Sequence, residues 1–163
     1  MRYIKLFEGF YQWRTGGEGL SKSEIKSSVD EISDILLSLK DDGFPIKVKS
    51  ESEYGSSNIY VNILDYDFSK SRKNQVKWVE ISDDVERVVN AVSDKYLPIE
   101  VYYKFVQPDG RIFNRNEREF CSWESFQTKV IPGEVIPGLV YRYLCFFSII
   151  FSEKPSNRKL FTL

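Results

Sequence analysis

DEISDILLSLKDDGFPIKV, residues 30–48, and DDVERVVNAVSDKYLPIEV, residues 83–101, are the stretches whose reading decides the fold. They align without gaps at an offset of 53 residues. Asp30/Asp83, Asp41/Asp94, Pro45/Pro98, Ile46/Ile99 and Val48/Val101 are identical. Ile32/Val85, Ile35/Val88, Leu36/Val89, Leu39/Val92 and Phe44/Leu97 keep an apolar side chain. Each copy reads as a helix, a proline turn and a strand, so the pattern implies a duplicated unit. In the first copy Ser21 and Glu24 have capping-box spacing. Ile25, Val29, Ile32, Ile35, Leu36 and Leu39 then form one stripe at helical period. Gly43 offers a left-handed stop and Pro45 blocks continuation. In the second copy a helix is expected from Ser82 through Val85, Val88, Val89 and Val92. Its β-branched residues are poor helix formers, so packing must hold it.

Outside the helices the pattern alternates. Ile59, Val61 and Ile63 fall on one side of a strand; Ile99, Val101, Tyr103 and Phe105 fall on one side of another, opposite Glu100 and Lys104. Such alternation marks a sheet with one buried and one wet face. Gln107-Pro108-Asp109-Gly110 predicts a turn that pairs Ile99–Val106 with Arg111–Phe120. The run from Val140 to Phe151 is apolar on both sides, as a central strand requires. The expected fold is α+β: duplicated α-β-β units forming an antiparallel sheet with helices on one face, plus a C-terminal strand. At 163 residues a single domain is expected. Its parts are an N-terminal segment (1–20), a first unit (21–66), a basic linker and strand (67–81), a second unit (82–120) and a C-terminal loop and strand (121–163).

Composition narrows the chemistry. Twenty-three basic and 24 acidic side chains leave a net charge of −1, which excludes a strongly basic coat for nucleic acid. There is no histidine, which removes Ser-His-Asp and Cys-His catalysis and imidazole-ligated metals. Two cysteines, Cys121 and Cys145, cannot complete a tetrahedral thiolate site. No catalytic residues, no metal and no cofactor are therefore expected. The longest apolar run is shorter than the roughly 20 residues of a membrane helix and contains Arg142, so no membrane partner is expected.

Four stretches suggest binding or chemistry. Residues 16–23 nearly match a phosphate-binding loop, but Ser21 stands where the glycine before the lysine belongs, and no strand precedes them. The pairs Glu51/Glu53, Asp65/Asp67 and Glu117/Glu119 could share a divalent ion, the basis of a metal-dependent hydrolase reading. Lys70, Arg72, Lys73 and Lys77 end at Trp78, and Arg111, Arg115 and Arg118 interleave with Phe113 and Phe120. Cations beside rings are what a single-stranded nucleic acid uses, so these seven residues form a nucleic-acid reading. Val130-Ile131-Pro132-Gly133 and Val135-Ile136-Pro137-Gly138 make a stiff apolar loop suited to a protein partner.

The N-terminus, Met1-Arg2-Tyr3-Ile4-Lys5-Leu6-Phe7-Glu8-Gly9-Phe10, resembles the opening of small tailed-phage proteins. It is also similar to the leader that directs internal head proteins of T4-like phages into the capsid. The resemblance covers about ten residues, and it implies a phage accessory protein in the host cytoplasm or the virion. The leading expectation is non-enzymatic protein–protein binding, as a virion component or an inhibitor of a host protein. Its contacts are Phe7, Phe10, Tyr11, Trp13, Ile131 and Ile136, since aromatic side chains dominate binding hot spots. A homo-oligomer through the apolar last strand is a further expectation.

Overall fold

The computed structural model describes residues 19–53, 55–107, 118–131 and 143–155. Helices α1 (Lys22–Ile35) and α2 (Leu37–Asp41) lead into strands β1 (Lys47–Glu53) and β2 (Ser56–Leu64). A short helix α3 (Tyr66–Ser69), a 3-10 turn (Arg72–Asn74) and the two-residue strand β3 (Val76–Lys77) follow. Helix α4 (Trp78–Ala91) then precedes β4 (Tyr96–Phe105) and β5 (Glu119–Ser122). A turn of helix α5 (Trp123–Ser125) runs into a π-helical turn (Phe126–Val130), and β6 (Tyr143–Glu153) comes last. The fold is α+β with an antiparallel sheet in the order β1-β2-β6-β4-β5, and β3 pairs with β6.

The capping box forms as the sequence requires: Glu24 N–H donates to Ser21 Oγ and Ser21 N–H to the Glu24 carboxylate. The stripe places Ile25, Ile32, Leu36 and Leu39 in the interior. The helix changes course at Leu36, whose ψ of 5° breaks the α conformation before α2 resumes it. Gly43 takes a φ of 93°, the left-handed stop the Asp42-Gly43 step predicts.

Three expectations change. Helix α4 begins at Trp78, not Ser82. The Glu80 carboxylate accepts the Lys77 N–H at 2.7 Å, and the Trp78 ring docks 5.1 Å from Phe126 and 5.3 Å from Phe147, so the first turn is held from both ends. Residues 67–81 thus carry α3, the 3-10 turn and the start of α4 as well as a short strand. Ile99 leaves the buried row: the β4–β6 register shifts between Pro98 and Glu100, and the bulged Ile99 is exposed. The β4–β5 register pairs Tyr103 with Glu119, which differs from the pairing a two-residue Pro108-Asp109 turn would set; residues 108–110 themselves lie outside the described residues.

The α-β-β order occurs twice, as α1-β1-β2 and α4-β4-β5. The two units do not superimpose by rotation. Both β2 and β4 run antiparallel to β6, so β1 runs opposite to β4, yet α1 and α4 pack against each other over the same core. The shared letters encode the same amphipathic period but not the same turn: Pro45 precedes β1, whereas Pro98 lies within β4.

Strand β6 is the spine. Phe147, Ile149 and Phe151 lie on the helix side, opposite Leu64, Val61 and Ile59 of β2 and, for the first two, Tyr103 and Val101 of β4. These residues and the α1 and α4 stripes form one core. Burying each large side chain contributes on the order of 1.5–3 kcal/mol. The entry to α1 is pinned to this spine by the buried Glu153. Its carboxylate accepts the Leu20 N–H at 2.8 Å and the Ser57 N–H and hydroxyl at 3.0 Å. The Ser57 proton is committed to the carboxylate, so the Tyr96 hydroxyl, 2.7 Å away, donates to Ser57 Oγ. Gly19 is required here, because a Cβ would collide with the Gly55 carbonyl and the Glu153 carboxylate.

Candidate binding surface

Strand alternation sends every second side chain to the face away from the helices. The registers align these into rows that cross the whole sheet. One row reads Lys47, Asn62, Ser148, Tyr102, Phe120. The next reads Lys49, Tyr60, Ile150, Glu100, Ser122. Among the described residues, α1, α2 and α4 all lie on the other side.

A continuous series of rings and one guanidinium runs from the exposed Phe120 on this wet face to the buried Phe146 and Tyr66. Phe120, 67% exposed, lies 5.8 Å from Tyr102. Arg118 sits over Tyr102 at 4.8 Å and over Phe146 at 5.7 Å. Phe146 stacks on Tyr66 at 5.2 Å with an interplanar angle of 21°. Lys49 lies over Tyr60 at 5.2 Å in the neighbouring row. At the buried end of the series, Phe146 and Tyr66 join Val106 and Cys145 in a small second cluster, which anchors it. Burial, then the Glu100 carboxylate that accepts its hydroxyl at 3.2 Å, pushes the Tyr102 phenol above its ordinary pKa; Arg118 opposes this. Burial, with Glu119 adding to it, also raises the Cys121 thiol on the opposite, core-facing side of β5.

The residues named from sequence divide unevenly. Phe7, Phe10, Tyr11, Trp13, Ile136, Arg111 and Arg115 lie outside the described residues. Ile131 is half-buried and packs against the main core. Arg118 joins the stack. Lys70 pairs with Asp67 at 2.8 Å, Lys77 lies over Tyr143 at 5.4 Å, and Arg72 and Lys73 are exposed on the 3-10 turn. Because Tyr66 opens the helix that Lys70 follows, the stack leads from Arg118 toward the first basic stretch. Tyr102, Phe146 and Tyr66 were not singled out from sequence. Tyr102 was legible as the residue out of phase with Tyr103, whereas Phe146 and Tyr66 meet only through long-range packing.

Three members of the acidic pairs have local partners, and Glu117 lies outside the described residues. Glu51 takes Lys49 at 3.0 Å, Asp65 caps α3 through the Phe68 N–H, and Asp67 takes Lys70. Among the described residues no three Asp, Glu or Cys side chains gather as a metal site would require. A cleft of about 760 Å³ borders Leu20, Ser52, Ser57, Lys95 and Glu153, but both oxygens of the Glu153 carboxylate are already engaged there. No described helix is long and apolar enough to cross a membrane. No family model, curated protein or solved structure matches this chain.

Proposed function

We propose that this protein works by binding another macromolecule, without catalysis, and that the wet face of the sheet is its working surface. The observation that carries this reading is the stack Phe120–Tyr102–Arg118–Phe146–Tyr66. A phenylalanine two-thirds exposed on a regular strand, beside an arginine with no carboxylate partner among the described residues, contributes little to the fold and much to an interface. The phage-type accessory role, within a virion or against a host protein, is supported by the N-terminal resemblance.

The test is affinity capture with the full chain from infected host cells, with bound protein and bound nucleic acid measured separately. The double variant Arg118→Ala/Phe120→Ala is expected to lose the captured partner. Val79→Ala, an exposed position on α4, is expected to keep it. A double variant that retains the partner removes the wet face from consideration.

A further inference from the structure

We infer that the wet face takes a single-stranded nucleic acid, with Phe120 and Arg118 stacking on bases and Lys47, Arg72 and Lys73 meeting phosphates. This rests on the proposal that the wet face is the working surface, and it names the partner. The row Lys47–Asn62–Ser148–Tyr102–Phe120 crosses five strands. At about 4.8 Å per strand it spans about 19 Å. Along it a cation, an amide, a hydroxyl and two rings follow in turn. That order matches the parts of an unpaired strand: phosphate, base edge and base plane.

Charge supports the same occupant. The acids of the sheet on this side are Glu51, engaged by Lys49, Glu100, engaged by the Tyr102 hydroxyl, and the exposed Glu53, at the opposite end of β1 from Lys47. Glu119, at the edge, takes Lys104 at 3.5 Å, and Asp67 takes Lys70. Lys47, Arg72, Lys73 and Arg118 are not engaged by a carboxylate among the described residues. Lys47 at one end of the row and the adjoining rings Tyr102 and Phe120 at the other offer a polyanion that carries bases both a charge contact and a stacking surface. A duplex is disfavoured, because stacked base pairs do not offer their planes to rings.

The experiment is fluorescence anisotropy of the full chain with labelled oligo-dT and oligo-U strands, at about 50 mM and about 250 mM salt. Binding is expected to weaken on the order of thirty-fold across that range if three phosphates are contacted. Phe120→Ala and Arg118→Ala are each expected to weaken it about ten-fold, the scale of one lost stacking contact. Val79→Ala is expected to leave it unchanged, and a matched hairpin duplex is expected to bind more weakly than the single strand. Absence of binding at low salt overturns the inference. So does binding that survives both Phe120→Ala and Arg118→Ala but disappears in Lys70→Ala/Arg72→Ala/Lys73→Ala, which assigns it to the basic stretch alone. The capture experiment separates the two levels. If no strand binds but the double variant still loses a captured protein, the wet face stands and the partner is a protein; if the double variant also keeps that protein, both readings fall.

Discussion

The two faces of this sheet are built from alternate residues of the same strands, yet they obey different rules. On the helix side, Phe147, Ile149 and Phe151 are sealed under α1 and α4, and every position is set by shape. On the wet side, Tyr60, Tyr102 and Phe120 keep part of their surface in solvent and are held by cations and by one another. The difference teaches that aromatic content alone does not report stability. A ring on one face is a structural element, and a ring one residue away is available to a ligand.

Substitutions sharpen this contrast. Phe147→Ala removes a fully buried ring at the crossing of Trp78, Phe126 and β6. It is expected to cost about 3–5 kcal/mol in denaturant unfolding. Glu153→Gln places an amide against N–H donors that now face a carboxylate, and is expected to cost about 3 kcal/mol in the same measurement. A smaller cost would show that the chain entering α1 detaches without loss to the sheet.

Alkali probes both faces at once. Burial raises the Tyr96 and Tyr103 phenols on the helix side and the Tyr102 phenol on the wet side above the ordinary value of 10.0. Between the unfolded and folded values the native chain holds protons that the unfolded chain releases, so stability falls as pH rises there. Melting temperature is expected to be flat with respect to these groups below about pH 10 and to drop above it. Absorbance titration of the phenolates should show these three ionising after the exposed tyrosines. The smallest effect is expected on the wet side: Phe120→Ala should change stability by less than about 0.5 kcal/mol. A loss near that of Phe147→Ala would break the comparison, making Phe120 part of the core.

Much of the fold was legible because its signals are local. Ser21 and Glu24 cap α1, Gly43 ends the helical stretch, and the two-sided apolar run of β6 announces a central strand. What escaped depends on partners far away in sequence. The early start of α4 needs Phe126 and Phe147 to dock Trp78; the bulge that expels Ile99 is a property of β4 and β6 together. The reversed placement of the second unit is invisible to an alignment, since strand direction leaves no mark in composition. The surface shows the same division. Arg118 and Phe120 stood out as a cation next to a ring, but the row linking Lys47 to Phe120 exists only once four strand pairings are set.

The place of β6 also governs the order in which the molecule can be born. The strand that joins the two halves is translated after both of them, and its carboxylate at Glu153 reaches back 96 residues to Ser57. Until it emerges from the ribosome, β2 and β4 each present an open hydrogen-bonding edge to whatever is nearby. Assembly dominated by such distant partners is expected to be slow, with these edges open to mispairing until β6 arrives.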